Sequence, residues 1–228
     1  MAVSIQLVKK DNLFHLTALP QVTAEAFWEL SKLSFFKKDG WYLAGGTALA
    51  LQVGHRQSVD LDFFTTRKNF KELEIERALQ NTGKWQTTYR EAGTIYGVFN
   101  NAKVSLIAYP FFQPKKEKVC YGTISILLPA DIASMKIIAI SQRGRKRDFY
   151  DLYWYCQNCE LLSAVILRAV NQYPGQDKNV NHIIKSLSYF ADAENDPEPK
   201  IFFKASWKTV KKFFQEQAKS LMKEFKLI

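Results

Sequence analysis

From Thr23 the chain places Phe27, Leu30, Leu33 and Phe36 on one face, which predicts an amphipathic helix with Thr23 as its cap. The preceding twenty residues are poorly patterned and end at Pro20, an N-terminal arm. Trp41–Ala44 is a short apolar run between Gly40 and Gly45, too short for a helix, and predicts a buried strand. Thr47–Val53, rich in Ala and Leu and closed by Gly54, predicts a short helix. Ser58–Phe64 alternates with period two, so Val59, Leu61 and Phe63 share one side of a strand while Asp60 and Asp62 share the other. Asn69–Asn81 reads as a helix with Phe70, Leu73, Ile75 and Leu79 as its apolar contacts, stopping at Gly83. Trp85–Glu91, Thr94–Phe99 and Lys103–Tyr109 are strand-like, set apart by turns near Gly93 and Asn100-Asn101. They predict antiparallel neighbours extending the sheet that holds the acid pair.

After the polar loop 110–118 and one more short strand, Thr123–Leu127, the pattern changes. Pro129 opens a helix, and Asp131–Gln142, Asp148–Gln157, Leu161–Gln172, Val180–Ala191 and Ser206–Lys226 are all helical in period, broken at Gly144, Pro174-Gly175 and Pro197/Pro199. The prediction is an α/β (α+β) half, one sheet with flanking helices over 1–128, followed by a C-terminal helical domain over 129–228. The stretch DAENDPEPK predicts a surface loop.

The chain has 228 residues, 47% of them hydrophobic, enough to fill a core. No run approaches the roughly 18 apolar residues of a membrane span, and the N-terminus lacks an apolar leader, so the expectation is a cytoplasmic protein without a membrane partner. Three cysteines make no disulfide framework. Cys156 and Cys159 read as helix-packing residues, since no second cysteine pair exists to complete a zinc site. A net charge of +10 implies an acidic partner such as a nucleotide, a nucleic acid or an anionic surface. Much of the excess lies at Arg143–Arg147 and in the lysines between Lys200 and Lys226.

The chemistry concentrates in residues 41–64. Gly45 and Gly46 sit between strand and helix, where backbone can approach a ligand closely and unpaired N–H groups point at an anion. Asp60 and Asp62 lie about 7 Å apart along their strand and suit one hard cation, which magnesium chemistry would complete with substrate phosphates.

A glycine turn, a short helix and Asp-x-Asp on the next strand resemble the nucleotidyltransferase superfamily, and the wording GGTALAL…GHRQSVDLDFF resembles the AbiEii/AbiGii toxins of type IV toxin–antitoxin systems. That resemblance implies a nucleotidyltransferase-like mixed sheet. It also implies transfer of a nucleoside monophosphate from a nucleoside triphosphate to an acceptor hydroxyl, with the 3′ end of tRNA favoured, Mg2+ (or Mn2+) as cofactor and a cognate antitoxin as partner. Under it Gly45, Gly46 and Thr47 hold phosphate, and Asp60 and Asp62 hold the metal. Arg56 clamps phosphate or pairs with Asp60, and Arg143, Arg145, Lys146 and Arg147 contact nucleic acid backbone. Lys136, on a stripe with Ile132 and Ile140, either reaches the triphosphate or lies along the core edge. Asp148 and Asp151 either serve a helix start or join the catalytic set. The superfamily carries a third carboxylate on a later strand, and Ser105 stands at the best-matching position, so the base falls to Asp131, Asp148 or Asp151, or the metal pair lowers the nucleophile's pKa instead, or the chain is a nucleotide- or RNA-binding protein without turnover.

Overall fold

The computed structural model describes residues 14–115, 117–174 and 179–225; the N-terminal arm before Phe14, Gly175 and the final lysine, Lys226, lie outside them. The chain divides into two compact units, one within Met1–Pro110 and Glu117–Leu128, the other within Phe111–Lys116 and Pro129–Ile228. The loop after Pro110, placed by sequence with the first half, belongs to the helical unit. Phe112 packs on Tyr173 at 5.2 Å, and the Gln113 N–H donates to the Gln172 carbonyl at 2.8 Å.

The first unit runs α1 (Gln21–Leu30), α2 (Phe35–Lys38), β1 (Tyr42–Leu43), α3 (Gly45–Val53), β2 (Leu61–Thr65), α4 (Glu72–Gln80), β3 (Trp85–Glu91), β4 (Thr94–Phe99), β5 (Ala102–Ala108), β6 (Val119–Tyr121) and β7 (Ile124–Ile126). Its seven strands form one mixed sheet in the order β3-β4-β5-β2-β1-β7-β6. β3, β4 and β5 are antiparallel neighbours, as their turns require. β5 joins β2 in parallel, because α4 and the β3–β4 hairpin return the chain to the same end of the sheet before β5 begins. Leu61, Phe63, Ile95, Phe99, Val104 and Leu106 are buried, as are Phe27, Leu30, Ile75 and Leu79 from α1 and α4. Burying side chains of this size contributes about 1.5–3 kcal/mol each.

Local chemistry shifts several predicted boundaries. The first helix begins at Gln21 behind Pro20, so Thr23 is not its cap and instead donates its hydroxyl to the Val59 carbonyl at 3.1 Å. It stops at Leu30, where Ser31 Oγ turns back to the Trp28 carbonyl at 2.7 Å, and Phe36 enters the core from α2. Val59, expected inside, is 49% exposed because β2 begins only at Leu61. Leu73 is likewise exposed; Glu76 takes the inward position on α4, its carboxylate held by Thr87 and Arg90. β6, absent from the sequence reading, pairs with β7 across a tight turn at Gly122.

The second unit is helical: α5 (Pro129–Gln142), α6 (Lys146–Asn158), α7 (Leu162–Gln172), α8 (Val180–Ser186), α9 (Ala191–Glu194) and α10 (Trp207–Glu224). The single helix expected over 180–191 is two, α8 and α9. α5 packs on α6, α7 and α8, and α10 on α6 and α8. Phe149 is central here, with Phe190, Trp207 and Phe214 at 5.2, 5.7 and 5.3 Å.

Candidate active site

Within the sheet unit, β1 ends at Leu43 and α3 starts at Gly45 with Ala44 as an extended N-cap. The Ala44 N–H donates to the Asp62 carbonyl at 3.0 Å, so the glycine bend is fastened to the acid-bearing strand. Gly45 has φ +70°, and a Cβ there would sit 3.4 Å from Asp62 Oδ2. Glycine suits the left-handed backbone here, and the Asp62 carboxylate lies within van der Waals reach of the position. Gly45, Gly46 and Thr47 occupy the first turn of α3, whose backbone N–H groups lack intrahelical partners and favour anions.

Asp62 and Asp60 are partly exposed. Asp62 Oδ1 accepts a 2.5 Å hydrogen bond from Ser105 Oγ, directly opposite on β5. The Thr47 side chain is buried; its hydroxyl donates to the Asp60 carbonyl and lies 2.8 Å from Ser58 Oγ. Thr47 therefore fixes the backbone that presents Asp60, and only its amide remains for the phosphate role expected of it. Arg56 is 4% exposed and donates from one guanidinium nitrogen to the Gln57 carbonyl at 2.9 Å. Ser58 was not identifiable from sequence as part of this network, since neither spacing nor residue type marks a hydroxyl for a partner 11 residues away; Ser105, placed by resemblance at the third-carboxylate position, is found bonded to Asp62.

The donor set fits a hard divalent cation. One carboxylate, Asp62, faces the first turn of a helix, Asp60 lies two residues before it on the same passage, and among the described residues no group of three or more His, Cys, Asp or Glu forms a closed protein cage. Magnesium is commonly held in that way, with substrate phosphates supplying further oxygens.

The helical unit contains a second charged cluster. Lys136 on α5 is 6% exposed, and its ammonium lies 2.5 Å from Asp148 Oδ1 and 2.7 Å from Asp151 Oδ2 on α6. All three expected residues are thus brought together, and the lysine neither reaches for solvent nor lies idle along the core. Asp131, the other candidate base, is fully buried, accepting from Gln172 Nε2 at 2.7 Å and from the Lys115 N–H at 3.0 Å.

The four basic residues proposed as backbone contacts separate. Lys146 is buried, its ammonium 3.2 Å from Glu198 Oε1, 3.3 Å from the Glu194 carbonyl and 5.5 Å from the Trp207 ring centroid. Arg145 pairs with Asp196 at 2.7 Å. The acidic stretch read as a surface loop is what neutralises them, and Tyr150 adds a 2.9 Å hydrogen bond to Glu198, with burial pushing its phenol pKa up. Arg143 and Arg147 are exposed. Lys146→Ala is therefore expected to lower the stability of the helical unit by about 1–2 kcal/mol, and Arg143→Ala to stay within about 0.5 kcal/mol, as read by urea unfolding.

Of the two cysteines read as helix-packing residues, only Cys156 is half-buried within α6; Cys159 is exposed just past its end. Cys120 and Cys159 are exposed, and burial, with the Glu160 charge behind it, pushes the Cys156 thiol up to about 12. A raised thiol pKa leaves little thiolate at neutral pH. At pH 8, iodoacetamide should label Cys120 at least tenfold faster than Cys156, read by peptide mass spectrometry.

Among the described residues no helix is long and apolar enough to cross a membrane. Comparisons with known proteins agree with the mixed sheet and its flanking helices. An uncharacterised protein of Aquifex aeolicus (strain VF5) is 33% identical over 187 residues, 81% of this chain and 89% of its own. Two solved structures share the fold at 15% identity. A crystal structure of a candidate nucleotidyltransferase from H. pylori has a TM-score of 0.55 over 91% of this chain and 97% of that one. MenT4, a nucleotidyltransferase toxin of Mycobacterium tuberculosis H37Rv, has a TM-score of 0.50 over 90% of each. Residues 30–110 and 121–226, which include the glycine bend, the Asp60/Asp62 pair and the Lys136 cluster, match the model of the family described as nucleotidyl transferase AbiEii toxin, type IV TA system. The chain belongs to the AbiEii family of nucleotidyltransferase toxins.

Proposed function

We propose that this protein transfers a nucleoside monophosphate from a nucleoside triphosphate to the 3′-terminal hydroxyl of tRNA, with magnesium (or manganese) held by Asp60 and Asp62. The observation that carries this reading is Asp62 Oδ2 facing the Cα of Gly45 at the first turn of α3. A carboxylate beside the first turn of a helix offers both a metal ligand and backbone donors to a metal-bound phosphate. The acceptor oxygen attacks the α-phosphorus, the bond to the bridging oxygen breaks, and pyrophosphate leaves. The amides of Gly45, Gly46 and Thr47 bind phosphate oxygens, and Ser105 and Thr47 hold the two aspartates in orientation. Bound metal would neutralise phosphate charge and ease loss of the acceptor's proton.

Lys136 is assigned to the charge developing on the leaving group. Asp148 and Asp151 fix its ammonium, and a cation held in advance needs no reorganisation during transfer. Asp131, Asp148 and Asp151 are the candidate proton acceptors, the last two ion-paired to Lys136 and the first hydrogen-bonded to Gln172 and Lys115. The exposed Arg143, Arg145 and Arg147 are candidates for RNA backbone, and the family carries the expectation of an antitoxin partner.

Ser105 favours one other reading. A hydroxyl where a third carboxylate was expected is consistent with a nucleotide- or RNA-binding protein that no longer turns over. Incubation with each labelled nucleoside triphosphate, magnesium and total tRNA separates the two. Label on tRNA, lost in Asp60→Ala, supports transfer; nucleotide binding with no transfer to any acceptor supports the binder.

A further inference from the structure

Four side chains on four neighbouring strands stand in one row across the sheet. Asp62 on β2 is the register partner of Ser105 on β5, Ser105 of Tyr96 on β4, and Tyr96 of Tyr89 on β3. Directly opposed residues project to the same side of a sheet, so the acid, the serine and both tyrosines share a face. The spacing of strands puts Tyr96 about 10 Å and Tyr89 about 14 Å from the strand of Asp62. The opposite face carries the buried Ile95, Val104 and Leu61.

Tyr89 and Tyr96 are 46% and 41% exposed, and their rings stack at 5.7 Å with an interplanar angle of 27°. The Tyr89 hydroxyl donates to Glu91 Oε2 at 2.6 Å, which fixes its ring. Two stacked aromatic rings left in solvent contribute little to the core. Their neighbours on this face include Gln86, the half-buried Val98 and Ile107, and the exposed Lys103.

We propose that Tyr89 and Tyr96 form a stacking platform for unpaired bases at the 3′ end of a single-stranded RNA acceptor, with Lys103 beside them for its backbone. Any base has a π face, and exposed aromatics on a sheet accept such faces without regard to sequence. The chain's net charge of +10 complements a polyanion. A strand laid along the row ends at Asp62, where its terminal hydroxyl is needed. The proposal rests on the transferase reading for its choice of RNA.

The test combines direct binding with transfer, so that the two ideas fail separately. The probe is a single-stranded oligoribonucleotide carrying 2-aminopurine near its 3′ end. Wild-type protein should bind it and quench its fluorescence. Tyr89→Ala/Tyr96→Ala should raise both its Kd and the acceptor KM at least tenfold with nucleotide binding unchanged, and Tyr89→Phe/Tyr96→Phe should restore both. Both positions are exposed, so the alanine variant is expected to fold, which circular dichroism checks. Unchanged Kd and KM in the alanine variant, with transfer intact, overturn the platform and leave the transferase reading standing. Failure of the wild type to bind the oligonucleotide also overturns the platform, and transfer to small hydroxyl compounds alone overturns the tRNA reading as well. Loss of binding to a protein partner only, with RNA affinity unchanged, overturns it in favour of a protein interface.

Discussion

Asp62→Asn is expected to lower nucleotidyl transfer by about a hundred- to a thousandfold while leaving the melting temperature within a few degrees of wild type. Asparagine matches aspartate in shape and keeps a carbonyl oxygen able to accept from Ser105 Oγ, the contact made by Asp62 Oδ1. What it removes is the charge on the oxygen facing Gly45. Asp62→Ala would confuse the result, because it leaves the largely buried Ser105 hydroxyl without its acceptor, at about 1–3 kcal/mol. Comparing transfer at saturating nucleotide with nucleotide affinity in magnesium checks the claim. Full activity in Asp62→Asn would remove Asp62 from the metal site, and with it the role given to the glycine bend.

How much of this centre could be read from the chain depends on whether a contact is local. The glycines, the short helix closed by Gly54 and the alternation of Asp60 and Asp62 lie within one strand–helix–strand passage, and periodicity places them. Gly54 carries its expected left-handed conformation at φ +61°. Contacts across strands or helices are another matter. Nothing local says that Ser105 faces Asp62, because the parallel pairing of β5 with β2 depends on how the intervening hairpin returns. The register that aligns Tyr89 and Tyr96 with that pair was hidden for the same reason. Lys146 looked like part of an exposed basic run until the acidic stretch, 48 and 52 residues further on, folded back on it. Charge runs report composition, whereas burial decides whether a charge is available. Leu73 and Glu76 make the converse point: hydrophobic periodicity favoured the leucine, but Glu76 could be buried because Thr87 and Arg90 satisfy its carboxylate.

Lys136→Met should cost about 3–5 kcal/mol of stability, and with it lower the melting temperature of the 228-residue chain by roughly 6–20 °C. Methionine keeps most of the stem's volume on the stripe with Ile132 and Ile140, so packing changes little. The loss comes from the carboxylates. Asp148 and Asp151 have side chains 11% and 0% exposed, and without the ammonium between them two like charges remain out of water. Pairing Lys136→Met with Asp151→Asn should recover at least half of the stability, because the deeper of the two uncompensated charges has gone. Turnover divides the structural role from the chemical one. If the ammonium also meets the charge of the leaving pyrophosphate, the double variant, folded again, will still transfer label at least a hundredfold more slowly than wild type. Recovery of activity along with stability would confine Lys136 to bracing α5 against α6.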